Sequence, residues 1–448
     1  MKRILTIAGS DSGGGAGIQA DLKTITVLGG FGMSAITALT AQNTVGVQGI
    51  VELEVEFVKR QIDSVLSDMG ADAIKTGMLA NSEIVRGVAE KIREYDIEKV
   101  VIDPVMVAKS GDALLKKEAQ ETVKRELLPL SYLVTPNLPE ASVLSGRDVK
   151  ELDDMKGAAR AIYQLGARNV LIKGGHLPDN PIDILFDGQR FHEFVGERIV
   201  TKNTHGTGCT YSAAIATELA KGETLARAIE KAKAFMTIAL RFSLNIGKGH
   251  GPTNPYAMIY REIERYRVIV ALEEAASLLR EANVGMLIPE VQSNLGYGLP
   301  YAEIKEDVAA FPGRIIRIGD SVETMRGPAF GGSQHIASII LTAMKHDPEY
   351  RSAMNIRYSK EVLQACSALH YSVKSFDRKR EPKGIKEKEG SSLEWGTESV
   401  LRGSKGIPDI IYDEGDRGKE AMVRVIGRYP REVVEKVLRI NERVTKAR

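Results

Sequence analysis

Ile4-Leu5-Thr6-Ile7-Ala8-Gly9-Ser10-Asp11-Ser12-Gly13-Gly14-Gly15-Ala16-Gly17-Ile18-Gln19-Ala20-Asp21 decides the fold class. A short run of branched apolar residues stops in a cluster of glycines, and the chain restarts with a helical pattern, as in a strand feeding a helix. The same alternation extends to about residue 250, with candidate strands at Ile4 to Ala8, Ala73 to Thr76, Val100 to Ile102, Tyr132 to Thr135 and Val170 to Lys173. It predicts an α/β domain with a mostly parallel sheet covered by helices. Ligands of such sheets gather at the carboxyl ends of the strands, where most of the unusual polar residues fall. The glycine cluster lets backbone approach a ligand closely. It is not a Walker A loop, because the Gly-Lys-Ser/Thr ending is missing. It also lacks the acidic partner that a dinucleotide fingerprint carries about 20 residues further on.

The chain has 448 residues, 43% apolar and 27% charged, which suits a globular protein of two domains. A formal charge of +2, from 61 basic and 59 acidic residues, gives no electrostatic reason to propose nucleic acid or an anionic membrane as partner. Cys209 and Cys366 lack metal-ligand spacing, so no disulfide framework or zinc site is expected, and a reducing, cytoplasmic home is. Met1-Lys2-Arg3 opens like a signal peptide, but Gly9-Ser10-Asp11 ends the apolar run too soon, and no apolar stretch is long enough for a transmembrane helix. The turn formers Gly247-Lys248-Gly249-His250-Gly251-Pro252-Thr253-Asn254-Pro255 predict a domain boundary. A second, smaller unit is expected from near Arg265, opening with an amphipathic helix over Val268 to Ala282 and closing with one near Glu432 to Arg443. The charged run Arg378 to Gly390 reads as a solvated, mobile loop.

Thr204-His205-Gly206-Thr207-Gly208-Cys209-Thr210-Tyr211-Ser212 leads into the small-residue helix Ala213 to Ala220. Gly206 and Gly208 can turn backbone N–H groups toward one point at a helix N-terminus, an anion hole of the kind phosphoryl transfer needs. A structural turn is the competing reading. Cys209 falls in the first helical turn, where a thiol pKa, ordinarily about 8.5, is expected to drop toward a reactive thiolate; a small apolar filler is the alternative. Asp103 and Glu140, each after a predicted strand, are candidate magnesium ligands, and Lys173 is placed to neutralise a phosphate.

Together, Gly9 to Asp21, Ala41-Gln42-Asn43-Thr44, Lys75-Thr76-Gly77-Met78, Asp103-Pro104-Val105, Thr135-Pro136-Asn137 and His205 to Cys209 resemble the hydroxymethylpyrimidine/phosphomethylpyrimidine kinases of thiamine biosynthesis. The resemblance covers about residues 1 to 255. It implies a ribokinase-like three-layer α/β/α domain using ATP and Mg2+, which phosphorylates hydroxymethylpyrimidine and then its phosphate at one site. Cys209 stands where many ribokinase-like enzymes carry Asp, which separates this chain from sugar kinases. By resemblance, Gln42 hydrogen-bonds the aminopyrimidine, and Gly9, Ala16, Asp21, Met78 and Val105 line the same pocket. Cys209 assists deprotonation of the hydroxymethyl group. Asn137, Lys173, Gly206, Thr207 and Gly208 serve ATP, with Asp103 and Glu140 on the metal. A homodimer is also implied.

From about residue 265 onward, Leu295-Gly296-Tyr297-Gly298, Phe311-Pro312-Gly313-Arg314, Phe330-Gly331-Gly332-Ser333-Gln334-His335 and Asn355-Ile356-Arg357 resemble the C-terminal thiamine-phosphate synthase domain fused to archaeal-type pyrimidine kinases. That resemblance implies a second α/β domain joining the pyrimidine pyrophosphate to thiazole phosphate. Arg314 and Arg357 can clamp phosphates bidentately, and Gly331-Gly332-Ser333 before an apolar helix repeats the anion-site pattern. Arg314 and His335 are the expected essential pair, with Arg317 and Arg326 as rivals for the pyrophosphate. The alternative is a pyridoxine-type kinase carrying a C-terminal regulatory domain that senses thiamine phosphate.

Overall fold

The structure, a computed structural model, describes residues 1–106, 117–178, 180–382, 391–416 and 418–447. It divides into two compact units, Met1–Tyr260 and Arg261–Arg448.

In the first unit nine strands form one sheet: β1 (Arg3–Asp11), β2 (Phe31–Gln42), β3 (Val47–Glu52), β4 (Ala73–Thr76), β5 (Val100–Ile102), β6 (Leu133–Val134), β7 (Val170–Ile172), β8 (Ile182–Phe186) and β9 (Phe191–Val195). Their order is β3-β2-β1-β4-β5-β6-β7-β8-β9. Pairing is parallel from β2 through β7, while β3, β8 and β9 are antiparallel additions at the edges. The central strands are rich in branched apolar residues because both faces are covered, and such polar exceptions as Thr6 in β1 and Lys75 and Thr76 in β4 are fully buried. One face packs on helices that include Val55–Leu66, Ser82–Glu94 and Leu152–Gln164, through Val58, Ile62, Ile84, Val88, Met155 and Ile162. The other packs on Thr207–Ala220 and Leu225–Arg241, with Ile4, Val101 and Leu171 against Tyr211, Ile215 and Phe235. This is the three-layer α/β/α arrangement, and it brings the ends of β1, β4, β5, β6 and β7 to one rim.

The turn-former stretch 247–255 is not a loose linker. Gly249 N donates to Thr44 Oγ1 (3.2 Å), His250 N to Thr44 O (2.9 Å) and His205 N to Gly251 O (3.0 Å), so it is packed into the first unit. The division falls instead inside the helix Ala257–Glu281.

The second unit has a seven-stranded, mainly antiparallel sheet. Its strands are β10 (Leu295–Gly298), β11 (Val308–Ala310), β14 (Ala329–Phe330), β15 (Ser352–Arg357), β16 (Val373–Ser375), β17 (Ile410–Asp413) and β18 (Met422–Gly427), in the order β14-β11-β10-β15-β18-β17-β16. A separate ribbon joins β12 (Ile315–Ile318) to β13 (Ser321–Thr324). Helices Ala257–Glu281 and Pro430–Lys446 cover one face through Leu272, Leu279, Val433 and Val437. Helices Gln334–His346 and Ser391–Leu401 cover the other through Ile336, Ile340 and Val400.

One expectation fails here. Arg378, at the head of the charged run, is buried: its Nε donates to Asp413 Oδ1 (2.5 Å), and Arg424 Nη2 donates to Asp413 Oδ2 (2.6 Å). A carboxylate sealed inside the sheet requires such partners, and so it draws one end of the run into the core. The rest of that run, residues 383–390, lies outside the described residues.

Candidate functional site

The rim of the first sheet encloses a cavity of about 630 Å3. Of the residues expected to face the pyrimidine, Gly9, Ala16, Gln42, Met78 and Val105 line it. So do Asp103, Asn137, Glu140 and Lys173, together with Gly206, Thr207, Gly208 and Cys209. Asp21 does not: it is fully buried, accepting hydrogen bonds from Thr6 Oγ1 (2.6 Å) and from Lys75 Nζ (2.8 and 3.0 Å).

Two glycines make the turn before helix Thr207–Ala220 possible, for different reasons. Gly206 caps the helix at φ +78°, and a Cβ there would lie 1.8 Å from Gly15 O. A Cβ on Gly208 would instead stand 3.3 Å from Asp103 Oδ2 and 3.4 Å from Lys173 Nζ, inside the space an anion would occupy. The first therefore serves the fold and the second the site. Thr207 donates its hydroxyl to Thr204 O (2.6 Å), which tightens the same turn.

Opposite this helix start, Lys173 Nζ donates to Asp103 Oδ1 (2.8 Å). Asn137 and Glu140 form a reciprocal cap on the helix Leu138–Ser145: Glu140 N donates to Asn137 Oδ1 (2.9 Å) and Asn137 N to Glu140 Oε2 (2.8 Å). Burial drives the Glu140 carboxyl up to about 7; Lys173 pulls it down and Asp103 pushes it further up. Two acids thus share one ammonium. Among the described residues no group of three or more His, Cys, Asp or Glu could hold a metal by itself.

Cys209 departs from expectation. Only part of its surface opens on the cavity, and burial pushes the thiol up to about 11, although Lys75 pulls the other way. Desolvation outweighs the helix dipole, so the thiol keeps its proton near neutral pH. Lys75 itself is held protonated: burial disfavours its charge, but the carboxylates of Asp21 and Asp103 more than restore it. Lys75 lines the cavity, and no role was read for it from sequence. The signal was present, since a lysine within an inner parallel strand, covered on both faces, must have a buried acid as partner.

Asp11 and His205 were also unassigned. The Asp11 carboxylate accepts from Gly13 N (2.8 Å), Gly15 N (3.0 Å), Ala16 N (2.8 Å) and His205 Nε2 (2.9 Å). Burial would raise its pKa, but His205 and the loop N–H groups outweigh that and hold it below the usual carboxylate range.

In the second unit Arg314 is exposed at φ +70°, an unusual conformation for a side-chain-bearing residue, and its Nη1 donates to Val291 O. Arg357 is exposed at the end of β15, and the register of Leu295 with Met354 brings it level with Gln292. His335 is exposed on the first turn of helix Gln334–His346, whose Ile336 packs over Gly296. The topology thus places Arg314, Arg357 and His335 at the edge where β10 begins. Arg317 and Arg326 are exposed, and Arg317 Nε donates to Gly319 O (2.8 Å).

The family described as Phosphomethylpyrimidine kinase matches residues 11–254, and that described as Thiamine-phosphate synthase ThiN matches residues 271–439. The chain is 55% identical over 252 residues to the Thiamine biosynthesis bifunctional protein ThiED of Geobacter sulfurreducens, covering 56% of this chain and 51% of that protein. It is 53% identical over 257 residues to the hydroxymethylpyrimidine/phosphomethylpyrimidine kinase of Bacillus subtilis, covering 57% of this chain and 95% of that one. It therefore spans about half of the first relative and nearly all of the second. Among solved structures, an ADP complex of Bacillus subtilis pyridoxal kinase is 42% identical with a TM-score of 0.55, covering 58% of this chain and 99% of that one. Pyridoxal kinase from Staphylococcus aureus with AMP-PCP and pyridoxal is 37% identical with a TM-score of 0.53, covering 57% and 94%.

Proposed function

This chain belongs to the phosphomethylpyrimidine kinase family, and we propose that its first unit phosphorylates 4-amino-5-hydroxymethyl-2-methylpyrimidine and then the monophosphate, using ATP. We propose further that the second unit joins the resulting pyrophosphate to thiazole phosphate, giving thiamine phosphate and pyrophosphate. The observation that carries the kinase reading is the cavity itself: a glycine-built anion hole faces Lys173, Asp103 and Glu140, beside a pocket containing Gln42 and Met78.

The hydroxymethyl oxygen attacks the terminal phosphorus of ATP, the bond to the ADP oxygen breaks with its electron pair leaving on ADP, and the hydroxyl proton passes to an oxygen of the transferred phosphoryl group or to solvent. Backbone N–H groups at Gly206 to Cys209 and the Lys173 ammonium stabilise charge on the phosphoryl oxygens in flight. Such loose transfer needs little base before the new bond forms. With its pKa pushed up to about 11, Cys209 acts first as a hydrogen-bond partner that aims the hydroxymethyl oxygen at the anion hole, not as a resting thiolate. The donor set fits magnesium: two buried carboxylates, one driven up to about 7 beside the other, share a single lysine. Asp103 and Glu140 would hold the ion, and it would neutralise the phosphates of ATP. In the second unit Arg314, Arg357 and His335 would bind the departing pyrophosphate.

A homodimer and a cytoplasmic location are part of this reading. Among the described residues no helix is long and apolar enough to cross a membrane. Product analysis of the whole chain with ATP, hydroxymethylpyrimidine and thiazole phosphate tests both halves. Absence of both pyrimidine pyrophosphate and thiamine phosphate removes the kinase claim; absence of thiamine phosphate with the pyrophosphate present removes the synthase claim and leaves a sensor. The solved pyridoxal kinases favour one second reading, a pyridoxal-type kinase, which a comparison of kcat/KM on the two heterocycles decides.

A further inference from the structure

Arg314, one of the groups that would hold the departing pyrophosphate, sits at the end of a tight turn. Its N–H donates to Phe311 O at 3.0 Å, with Pro312 and Gly313 between them and Gly313 at φ +83°. That is the type II pattern, proline second and a left-handed glycine third. Arg314 then takes φ +70° itself, which a residue with a side chain keeps only where its surroundings hold it.

Asn294 supplies the hold. Strand β11 pairs with β10 only as far as Ala310 with Gly296, because Pro312 has no N–H with which to extend the ladder. Where the ladder stops, the Asn294 amide clasps Phe311 on both sides: Phe311 N donates to Asn294 Oδ1 (3.0 Å), and Asn294 Nδ2 donates to Phe311 O (3.0 Å). A backbone N–H can only donate and a carbonyl only accept, so the orientation of this amide is fixed. Phe311 O thus receives Asn294 and Arg314 together. Just past the turn, Ile315 N donates to Ser293 O (2.8 Å) and Ser293 N to Ile315 O (3.1 Å), which clamps the other end.

Asn294 is fixed in its turn. Its N–H donates to Asn355 Oδ1 (2.7 Å), and Asn355 Nδ2 donates to Gln292 O (3.1 Å). Asn355 lies two residues before Arg357 on β15, on the same side of that strand. Arg314 Nη1 donates to Val291 O, next to Gln292. Asn294 is buried, so its effect on an anion at the surface runs through the groups it holds.

We propose that Asn294 is a positioning residue for the synthase step: through Phe311 it fixes the left-handed turn that presents Arg314 to the departing pyrophosphate, and through Asn355 it keeps Arg314 in register with Arg357. This rests on the reading of the second unit as a synthase and deepens it.

The test is the Kd of inorganic pyrophosphate for the full chain, by calorimetry with ADP saturating the cavity of the first unit. Asn294→Ala should weaken binding about tenfold or more, the worth of a hydrogen bond to a charged group. Arg314→Ala should weaken it at least as much, and adding Asn294→Ala to Arg314→Ala should cost no more than about a further twofold, because the asparagine acts through the arginine. In turnover, Asn294→Ala should raise the KM for pyrimidine pyrophosphate while that for thiazole phosphate stays within about threefold, a split that general loosening of the sheet would not produce. Asn294→Asp retains the acceptor for Phe311 N and loses the donor to Phe311 O, so it should weaken pyrophosphate binding by a smaller factor, about threefold or more, and keeps the idea testable if Asn294→Ala melts early. Full additivity of the two losses, or an unchanged Kd in folded Asn294→Ala or Asn294→Asp, overturns the inference, as does a wild type that does not bind pyrophosphate. A wild type that binds it and obeys this cycle yet forms no thiamine phosphate overturns the synthase reading instead.

Discussion

Cys209 stands where a helix N-terminus favours a thiolate, yet burial wins and pushes the thiol up to about 11. Alkylation by iodoacetamide at pH 7.5 should therefore be at least about tenfold slower than for a free cysteine and should accelerate as pH rises toward 11. Mass-spectrometric rates check this; a rate equal to that of a free thiol would contradict it. Glu140 offers a second test. Its folded pKa is raised to about 7 from an ordinary value of 4.5, so the folded state binds the extra proton between these values. The resulting stability is complete below about 4.5 and is lost as pH rises through 7. Urea melts across this range should show that decline, and Glu140→Gln should flatten it.

At the scale of elements, the turn before helix Thr207–Ala220 separates fold from chemistry. Gly206→Ala must overcome both a left-handed φ and a backbone contact of 1.8 Å, so it should lower stability by at least about 2 kcal/mol in denaturant melts. Gly208→Ala should leave the melt nearly unchanged while reducing kinase turnover, because its methyl group would stand beside Asp103 and Lys173. These glycines were legible in the sequence, as were the five central strands, because a parallel strand covered on both faces is rich in branched apolar residues, even where a buried charge such as Lys75 interrupts it. β2 was not: its Gly, Ala, Ser and Thr content carries little strand signal, and it forms because it pairs with β1 and because Gly32 admits Leu22 of the helix Gly17–Val27. Asp11, Asp21 and Lys75 all lie within recognisable motifs, but pairings that span from 54 to 194 positions have no local spacing to reveal them.

Across the whole molecule the two units carry separable chemistry. Arg314→Ala or His335→Ala in the full chain should abolish thiamine phosphate formation while kinase kcat stays within about twofold, since neither residue belongs to the unit that holds the cavity. Coupled product assays check this. The edge strand β3 is nearly all exposed, and Leu39 and Val51 stand opposite each other on the outermost pair. An uncovered apolar edge of that kind suits a second subunit. Val51→Asp should shift a sedimenting dimer toward monomer; an unchanged sedimentation coefficient would place the contact elsewhere.

The buried pair of Lys75 and Asp21 also bears on how this sequence can change over generations. Neither side chain reaches solvent, so loss of either one strands its partner's charge in the core, at a cost of about 3–5 kcal/mol. Any lineage that alters one position must pass through a nearly unfoldable intermediate or change both at once. The two sites should thus be inherited as a unit: in a library randomising both, survivors should retain Lys with Asp or replace both with apolar residues.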